Sequence, residues 1–243
     1  MLQQTKEQLQ QLKLPSFIEV IDEWQQNNSY QDLSFDELLC LMADREINRR
    51  LLCKQERLMK QAKLRHGNAC MEAVDYQANR KLNKNQFKAL IDCQWIKQGK
   101  NCIFIGPTGV GKSYLACALG HRACSNTLKV RYYRVPRLIE LLRVAHADGS
   151  YTRILEQIAK IDLLILDDWG LDKLERVGRR DILEILEDRC GIASTIITTQ
   201  LPIEQWHEYI GDSTIADAIC DRIINQSIVF NIEGDSMRKV KNT

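Results

Sequence analysis

The feature that most restricts this chain is the run Gly106-Pro107-Thr108-Gly109-Val110-Gly111-Lys112-Ser113. An apolar segment, Asn101 to Ile105, precedes it, and a helical pattern, Tyr114 to Ala123, follows. Strand, glycine-rich turn and helix in that order are the setting in which G-x-x-x-x-G-K-[ST] marks a phosphate-binding loop. Glycines at 106, 109 and 111 let the backbone curl so that successive N–H groups converge on a polyphosphate. The helix behind them adds its unpaired N-terminal N–H groups and the positive end of its dipole. The expected cradle for the polyphosphate therefore runs from Gly106 to Tyr114. Within it Lys112 would reach the β- and γ-phosphates, and Ser113 would hold Mg²⁺ through its hydroxyl.

A chain of 243 residues has room for one α/β domain and a smaller companion. No apolar run approaches the roughly 18–20 residues of a membrane span, and MLQQTKEQLQQLKL at the start is amphipathic rather than signal-like. Nine cysteines without a C-x-x-C pair argue against a disulfide framework or a zinc site and for a reducing cytoplasm. Charge is unevenly spread: residues 44–100 carry fourteen Lys/Arg against six Asp/Glu, and the rest of the chain is mildly acidic. A basic surface on an acidic body is expected.

Residues 1–65 read as helical. Pro15 interrupts a first amphipathic stretch, and Ser34 with Glu37 forms a capping box for a helix from Phe35 to about Arg65. Ile47, Leu51, Leu58 and Ala62 share one face of it, and Arg45, Arg49, Arg50, Lys54, Arg57 and Lys60 spread over much of the rest, with few acidic residues at i±4. Such a face is either a solvated surface or a contact for nucleic-acid phosphates. The nucleotide loop downstream favours the second. His66-Gly67-Asn68 ends the helix and divides a helical domain, 1–68, from a nucleotide-binding domain, 69–243, of which 69–99 reads as a mixed linker.

Beyond the loop helix, Lys129 to Arg134 reads as a strand, and Pro136 opens a helix on which Arg137 and Arg143 are further candidates for DNA contact. Ile161-Asp-Leu-Leu-Ile-Leu166 is a nearly continuous apolar run, as in a parallel strand buried on both faces, and it ends in Asp167-Asp168. Carboxylates at that end lie where open α/β sheets do their chemistry, in the form of a Walker B segment. Asp167 would help hold Mg²⁺, and Asp168 would orient or deprotonate the attacking water. Ala193 to Thr199 and Ile228 to Ile232 complete five strands, an α/β fold with a parallel sheet of the additional-strand ATPase kind. The polar tip Thr198-Thr199-Gln200 would sit between the two Walker motifs.

Taken together, Gly-Pro-Thr-Gly-Val-Gly-Lys-Ser, Leu-Leu-Ile-Leu-Asp-Asp-Trp-Gly, Thr-Thr-Gln-Leu-Pro-Ile-Glu-Gln-Trp-His, Ala-Asp-Ala-Ile-Cys-Asp-Arg and Gly-Asp-Ser-Met-Arg-Lys resemble the IstB-type transposition helper ATPases over nearly the whole chain. That resemblance implies an AAA+ domain related to the DnaC helicase loader and the DnaA initiator. It also implies ATP-dependent oligomers on duplex DNA that deform it, help to choose a target site and recruit a cognate transposase. Carried over by motif, Lys112 and Ser113 are the Walker A ligands and Asp167 with Asp168 the Walker B pair. Thr199 falls at the sensor-1 position, with Thr198 and Gln200 as alternatives. Arg222 is the arginine finger reaching a neighbour's γ-phosphate, and Arg238 the sensor-2 arginine, although about eleven residues after the last strand leave no room for a full lid. Asp168 stands where most AAA+ members have glutamate, which implies slow basal hydrolysis until a partner completes the site. A DnaC-like helicase loader is the near alternative. A P-loop kinase of a small molecule is the remote one.

Overall fold

The computed structural model describes residues 1–26, 30, 32–76 and 80–237. The chain divides into two compact units, Met1–Arg57 and Leu58–Thr243. In the first, helix α1 (Leu2–Gln11) is followed by α2 (Pro15–Gln26), which starts on Pro15, where a missing N–H has no helical partner to lose. Helix α3 (Phe35–Ala62) begins at the capping box. The Ser34 N–H donates to the Glu37 carboxylate at 2.8 Å, and the Glu37 N–H donates back to Ser34 Oγ at 3.3 Å. Lys63, in the left-handed region at φ 51°, ends the helix one turn's fraction short of the expected Arg65.

The basic face of α3 differs from expectation. Arg45 donates to both oxygens of Glu23 at 2.8 Å and to Tyr30 Oη, while Arg49 (2.6 Å) and Arg50 (2.7 Å) both donate to Glu46. Three of the six candidate cations are thus paired within their own unit, with two carboxylates between them. Glu23 comes from a different helix, so i±4 spacing along α3 does not reveal it; Glu46 lies three and four residues before its arginines and was visible in the sequence. Glu46 is only 4% exposed and also accepts from the Ser16 N–H at 3.4 Å. Arg49 chiefly, then Arg50 and Ser16, hold its carboxyl down at about 2 against a burial effect that opposes them.

The second unit is built on a sheet of β1 (Asn101–Ile105), β2 (Val130–Arg134), β3 (Leu163–Trp169), β4 (Ser194–Thr199) and β5 (Ser227–Asn231), paired in parallel in the order β2-β3-β4-β1-β5. The five-stranded parallel sheet expected from the sequence is the one that forms. Strand alternation sends side chains to two cores. Phe104, Leu163, Ile165, Ile196 and Phe230 face one; Ile103, Leu164, Leu166 and Ile197 face the other. Each fully buried side chain of this size contributes roughly 1.5–3 kcal/mol.

The first core is covered by the end of α3, by α4 (Lys84–Lys88) and α5 (Gln94–Lys97), and by α6 (Lys112–Ser125). The second is covered by α7 (Val135–Asp148), α8 (Tyr151–Ala159), α9 (Arg176–Glu187), α10 (Trp206–Ile210) and α11 (Ser213–Ile224). The supposed linker 69–99 is instead part of the first core. Ala69, Met71, Val74, Phe87, Leu90, Trp95 and Ile96 are all buried, too few and too irregularly spaced to announce themselves as a periodic face.

Arg189 pins the edge of the sheet opposite the phosphate loop. It is 1% exposed and donates to the carbonyls of Ile158 (2.9 Å), Ile161 (2.7 Å) and Ser194 (2.6 Å), which tie the ends of α8, α9 and β4 together. Burial pulls its pKa down to about 10, still charged at neutral pH. Arg189→Met should lower stability by about 3 kcal/mol or more, read from the urea midpoint, since three buried acceptors lose their donor.

A pH dependence follows from Glu46. A carboxyl held below its ordinary 4.5 contributes stability above that pH and loses it as pH falls through about 2. The protection of the Ser16 and Val20 amides, their exchange taken relative to the intrinsic rate at each pH, should therefore fall across that interval in the native chain. Glu46→Gln should flatten the profile; an unchanged slope would show that another group sets it.

Candidate functional site

The phosphate loop joins β1 to α6. Gly109 (φ 91°) and Gly111 (φ 97°) hold left-handed backbone that other residues adopt only under strain, and Gly111 is the N-cap of α6. Val110 is fully buried in the first core, so it anchors the loop and offers a ligand only its backbone. The Met237 N–H donates to Gly109 O at 2.9 Å, laying the C-terminal Gly234–Met237 stretch along the loop. Lys112 Nζ donates to Gly106 O and Pro107 O at 2.8 Å, across the curl. Burial lowers its pKa, and Asp167 and Asp168 work against that.

Asp167 and Asp168 close the other side. The pairing of β3 with β4 is irregular between Leu166 and Trp169, and Asp168 has φ 61°, so the two carboxylates leave the strand in different directions. Asp167 is fully buried. Its Oδ1 accepts from Ser113 Oγ at 2.7 Å and from Thr198 Oγ1; its Oδ2 accepts from Tyr132 Oη, with Arg65 Nη1 at 3.4 Å. Asp168 Oδ2 accepts from Arg134 Nε at 2.6 Å and lies 4.0 Å from Arg65. Burial first, then the bond to Asp167, pushes the Tyr132 phenol far above its usual range, so it stays a donor.

These groups open on a cavity of about 1220 Å³, lined by Thr108, Gly109, Gly111, Lys112, Ser113 and Tyr114 from the loop and by Asp168, Thr198, Thr199 and Gln200 from the strand ends. Gly106, Pro107 and Val110 are not part of that lining. The cavity also takes Arg65, read as the end of the long helix, and Ala69, Ala73, Asp75 and Arg80 from the stretch read as linker. The hydroxyl of Ser113 and the carboxylate of Asp167 fit Mg²⁺, a hard ion that binds through one or two carboxylates plus substrate phosphates.

Thr199 is placed otherwise than the sequence reading expected. Thr199 does not face the carboxylates: its hydroxyl donates to Trp169 O at 2.8 Å and accepts from the Leu201 N–H at 2.9 Å. The threonine between the Walker motifs is Thr198, which bonds Asp167 and accepts from the Asp168 N–H at 3.3 Å. The reason is strand alternation, which sends neighbouring side chains to opposite faces. Arg222 lies away from its own cavity, where α11 leads into β5 at the sheet edge opposite the loop; it pairs with Glu187 and donates to Ala218 O at 2.8 Å. Arg238 lies outside the described residues. Of the candidate DNA contacts, Arg143 is held by Glu140 at 2.7 Å. Lys54, Arg57, Lys60 and Arg137 are exposed and make no ion pair among the described residues.

The tryptophans of the two signature segments pack on each other. Trp169 lies 5.2 Å from Trp206 and 5.5 Å from Tyr209, and Trp206 Nε1 donates to Leu201 O at 3.2 Å. They brace the turns after β3 and β4. Tyr132 and Arg134 were missed. They sit two apart on β2, with Arg134 in register with Asp167, so same-face alternation beside the Walker B strand was the available signal. Arg65 had none.

Strand order with β4 between β1 and β3, and a phosphate loop meeting two carboxylates at their carboxyl ends, define an additional-strand P-loop nucleotide-binding protein with the AAA+ fold. Residues 7–243 match the family described as IstB-like ATP binding protein, and the chain belongs to it. It is 44% identical over 235 residues to the insertion-sequence ATP-binding protein y4pL of Sinorhizobium fredii, covering 97% of this chain and 96% of that one. Among solved structures it resembles DnaI (TM-score 0.60, 20% identity, 73% of this chain and 93% of that one). It also resembles the DnaC helicase loader (TM-score 0.53, 23% identity, 61% and 86%). At such identities the likeness is one of fold. Among the described residues no helix is long and apolar enough to cross a membrane.

The two threonines should separate experimentally. Thr198→Val strips a donor from Asp167 and should weaken the magnesium dependence of ATP binding by about tenfold. Thr199→Val should cost about 1–3 kcal/mol of stability with binding unchanged, since two buried backbone groups lose their partner. Calorimetric titration and urea unfolding of both variants check this; exchanged phenotypes would return Thr199 to the carboxylates.

Proposed function

We propose that this chain is an ATPase that assembles with ATP as a homo-oligomer on duplex DNA and serves transposition, helping to select and deform the target and recruiting a cognate transposase. The observation that carries the hydrolytic part is the meeting of Ser113 and the buried Asp167 at 2.7 Å beside the loop cavity. Loop N–H groups and Lys112 would bind the β- and γ-phosphates, and Ser113 with Asp167 would hold Mg²⁺. The bound ion would offset charge on the phosphate oxygens. Asp168 would orient the water and accept its proton.

Asp168 is engaged in the structure by Arg134 at 2.6 Å. An oxygen already occupied by a guanidinium is not free to receive a water, so basal turnover is slow until that pair opens. Arg222, at the far edge of its own sheet, supports a role in trans: the nucleotide it can serve is a neighbour's. Charge developing on the transferred phosphoryl group is then stabilised only within the assembly. Exposed Lys54, Arg57, Lys60 and Arg137 are the cations left for DNA phosphates, and binding through them weakens with salt. The insertion-sequence names of the relatives support the link to transposition.

The test is ATP binding and hydrolysis with and without duplex DNA for the native chain, Lys112→Ala and Arg222→Ala. Duplex DNA should stimulate native hydrolysis. Lys112→Ala should lose ATP binding. Arg222→Ala should bind ATP within about twofold of native yet hydrolyse it at least about a hundredfold more slowly. Loss of binding in Arg222→Ala would remove it from the trans role. Preference for single strands over duplex would favour a helicase loader, and phosphate transfer to a metabolite without response to DNA would favour a kinase.

A further inference from the structure

Arg65 belongs to neither Walker motif and yet reaches both carboxylates. It stands three residues beyond the end of α3, in a stretch whose backbone is fixed: Ala62 and Ala69 on either side are buried, Gln61 O accepts from Arg131 at 2.8 Å, and the backbone at Arg65 and His66 hydrogen-bonds to the Cys117 thiol on α6. The His66 ring lies 5.9 Å from that of Tyr114. The guanidinium itself is different. Its side chain is 40% exposed, lines the nucleotide cavity with Lys112, Ser113 and Asp168, and divides its donors among Asp167 (3.4 Å), Asp168 (4.0 Å) and Tyr132. An arginine committed to one carboxylate approaches to about 2.7–2.9 Å, often with two parallel bonds. Arg65 is held in place without being committed.

Such a group is suited to exchange partners. A magnesium ion shared by Ser113 and Asp167 would neutralise the carboxylates that now attract Arg65 and repel its charge. A terminal phosphate in the same cavity offers two oxygens to the planar guanidinium fork in return. A nucleoside diphosphate lacks that phosphate. We propose that Arg65 is a further nucleotide-binding residue, acting in its own subunit. With the phosphate site empty it bridges the two Walker B carboxylates, and with a magnesium nucleoside triphosphate it moves to the terminal phosphate. Discrimination of triphosphate from diphosphate is then read by the segment that continues helix α3.

Because this rests on the ATP-site reading above, the experiment contains a control for that reading. Full-length native protein, Arg65→Ala and Arg65→Lys are titrated with fluorescent ATPγS and ADP in the presence of Mg²⁺, and thermal melts without nucleotide establish that each variant is folded. Arg65→Ala should bind ATPγS about tenfold more weakly while ADP binding changes by less than about twofold, and Arg65→Lys should recover part of the loss. Tryptic cleavage after Lys63 gives a second readout: ATPγS should alter its rate relative to ADP in native protein and not in Arg65→Ala. Equal weakening of both nucleotides, or of neither, would make Arg65 a structural counter-ion of Asp167 and overturn the proposal. Native protein that bound neither nucleotide would overturn the ATP-site reading and this proposal with it.

Discussion

A serine on the first turn of α6 and an aspartate at the end of β3, 54 residues apart in the chain, share a hydrogen bond of 2.7 Å, and the site exists because they do. The contact requires β1 and β3 to end at the same edge with β4 lying between them. A parallel sheet achieves this because every right-handed crossover returns the chain to the same side, bringing all the carboxyl ends together. The buried four-residue run of β3 holds the aspartate there, and Val110 holds the loop against the same core. Loosening either would separate the two halves of the cavity before it disturbed the rest of the sheet.

Charge is concentrated at that edge. Lys112, Arg65 and Arg134 surround Asp167 and Asp168, and Arg80, buried beside the loop, donates to Val110 O at 3.4 Å and to Asp75 O. Both carboxylates are thereby satisfied from within the chain. Such an arrangement is stable at rest, and in the ATPase proposed above it would have to be partly undone for chemistry, which would tie hydrolysis to binding events. The same economy recurs on α3, where Glu23 and Glu46 pair with three arginines of a face that read as basic. What is left to meet a polyanion is a smaller set of exposed cations.

Much of the fold was legible, because its signals are local. The phosphate loop, the apolar run before Asp167-Asp168, the capping box at Ser34 and the proline starting α2 each depend on residues within a few positions of one another. The stretch 69–99 was illegible for the opposite reason. Its buried residues are held by partners far away in sequence, and α4 and α5, of five and four residues, are too short to carry a helical period. Within the site, the residues of the loop and of β3 that the structure brings together were legible, while Tyr132, Arg134 and Arg65 were not, since each reaches the carboxylates from another element. The choice between Thr198 and Thr199 turned on one residue of strand register, which flips a side chain from one face to the other.

The amino-acid sequence by itself determined that this chain folds as a parallel α/β nucleotide-binding domain behind a helical segment, and it named the phosphate loop and the Walker B carboxylates. Those features are set by backbone conformation and hydrophobic period, which neighbouring residues dictate. Only the tertiary structure decided which threonine touches Asp167, which arginines neutralise Asp167 and Asp168, which cations on α3 are already spent, and that Arg222 faces away from its own nucleotide cavity. Those outcomes depend on distances between side chains brought together by the sheet, and Coulombic and hydrogen-bonding energies fall off over a few ångströms whatever the separation along the chain.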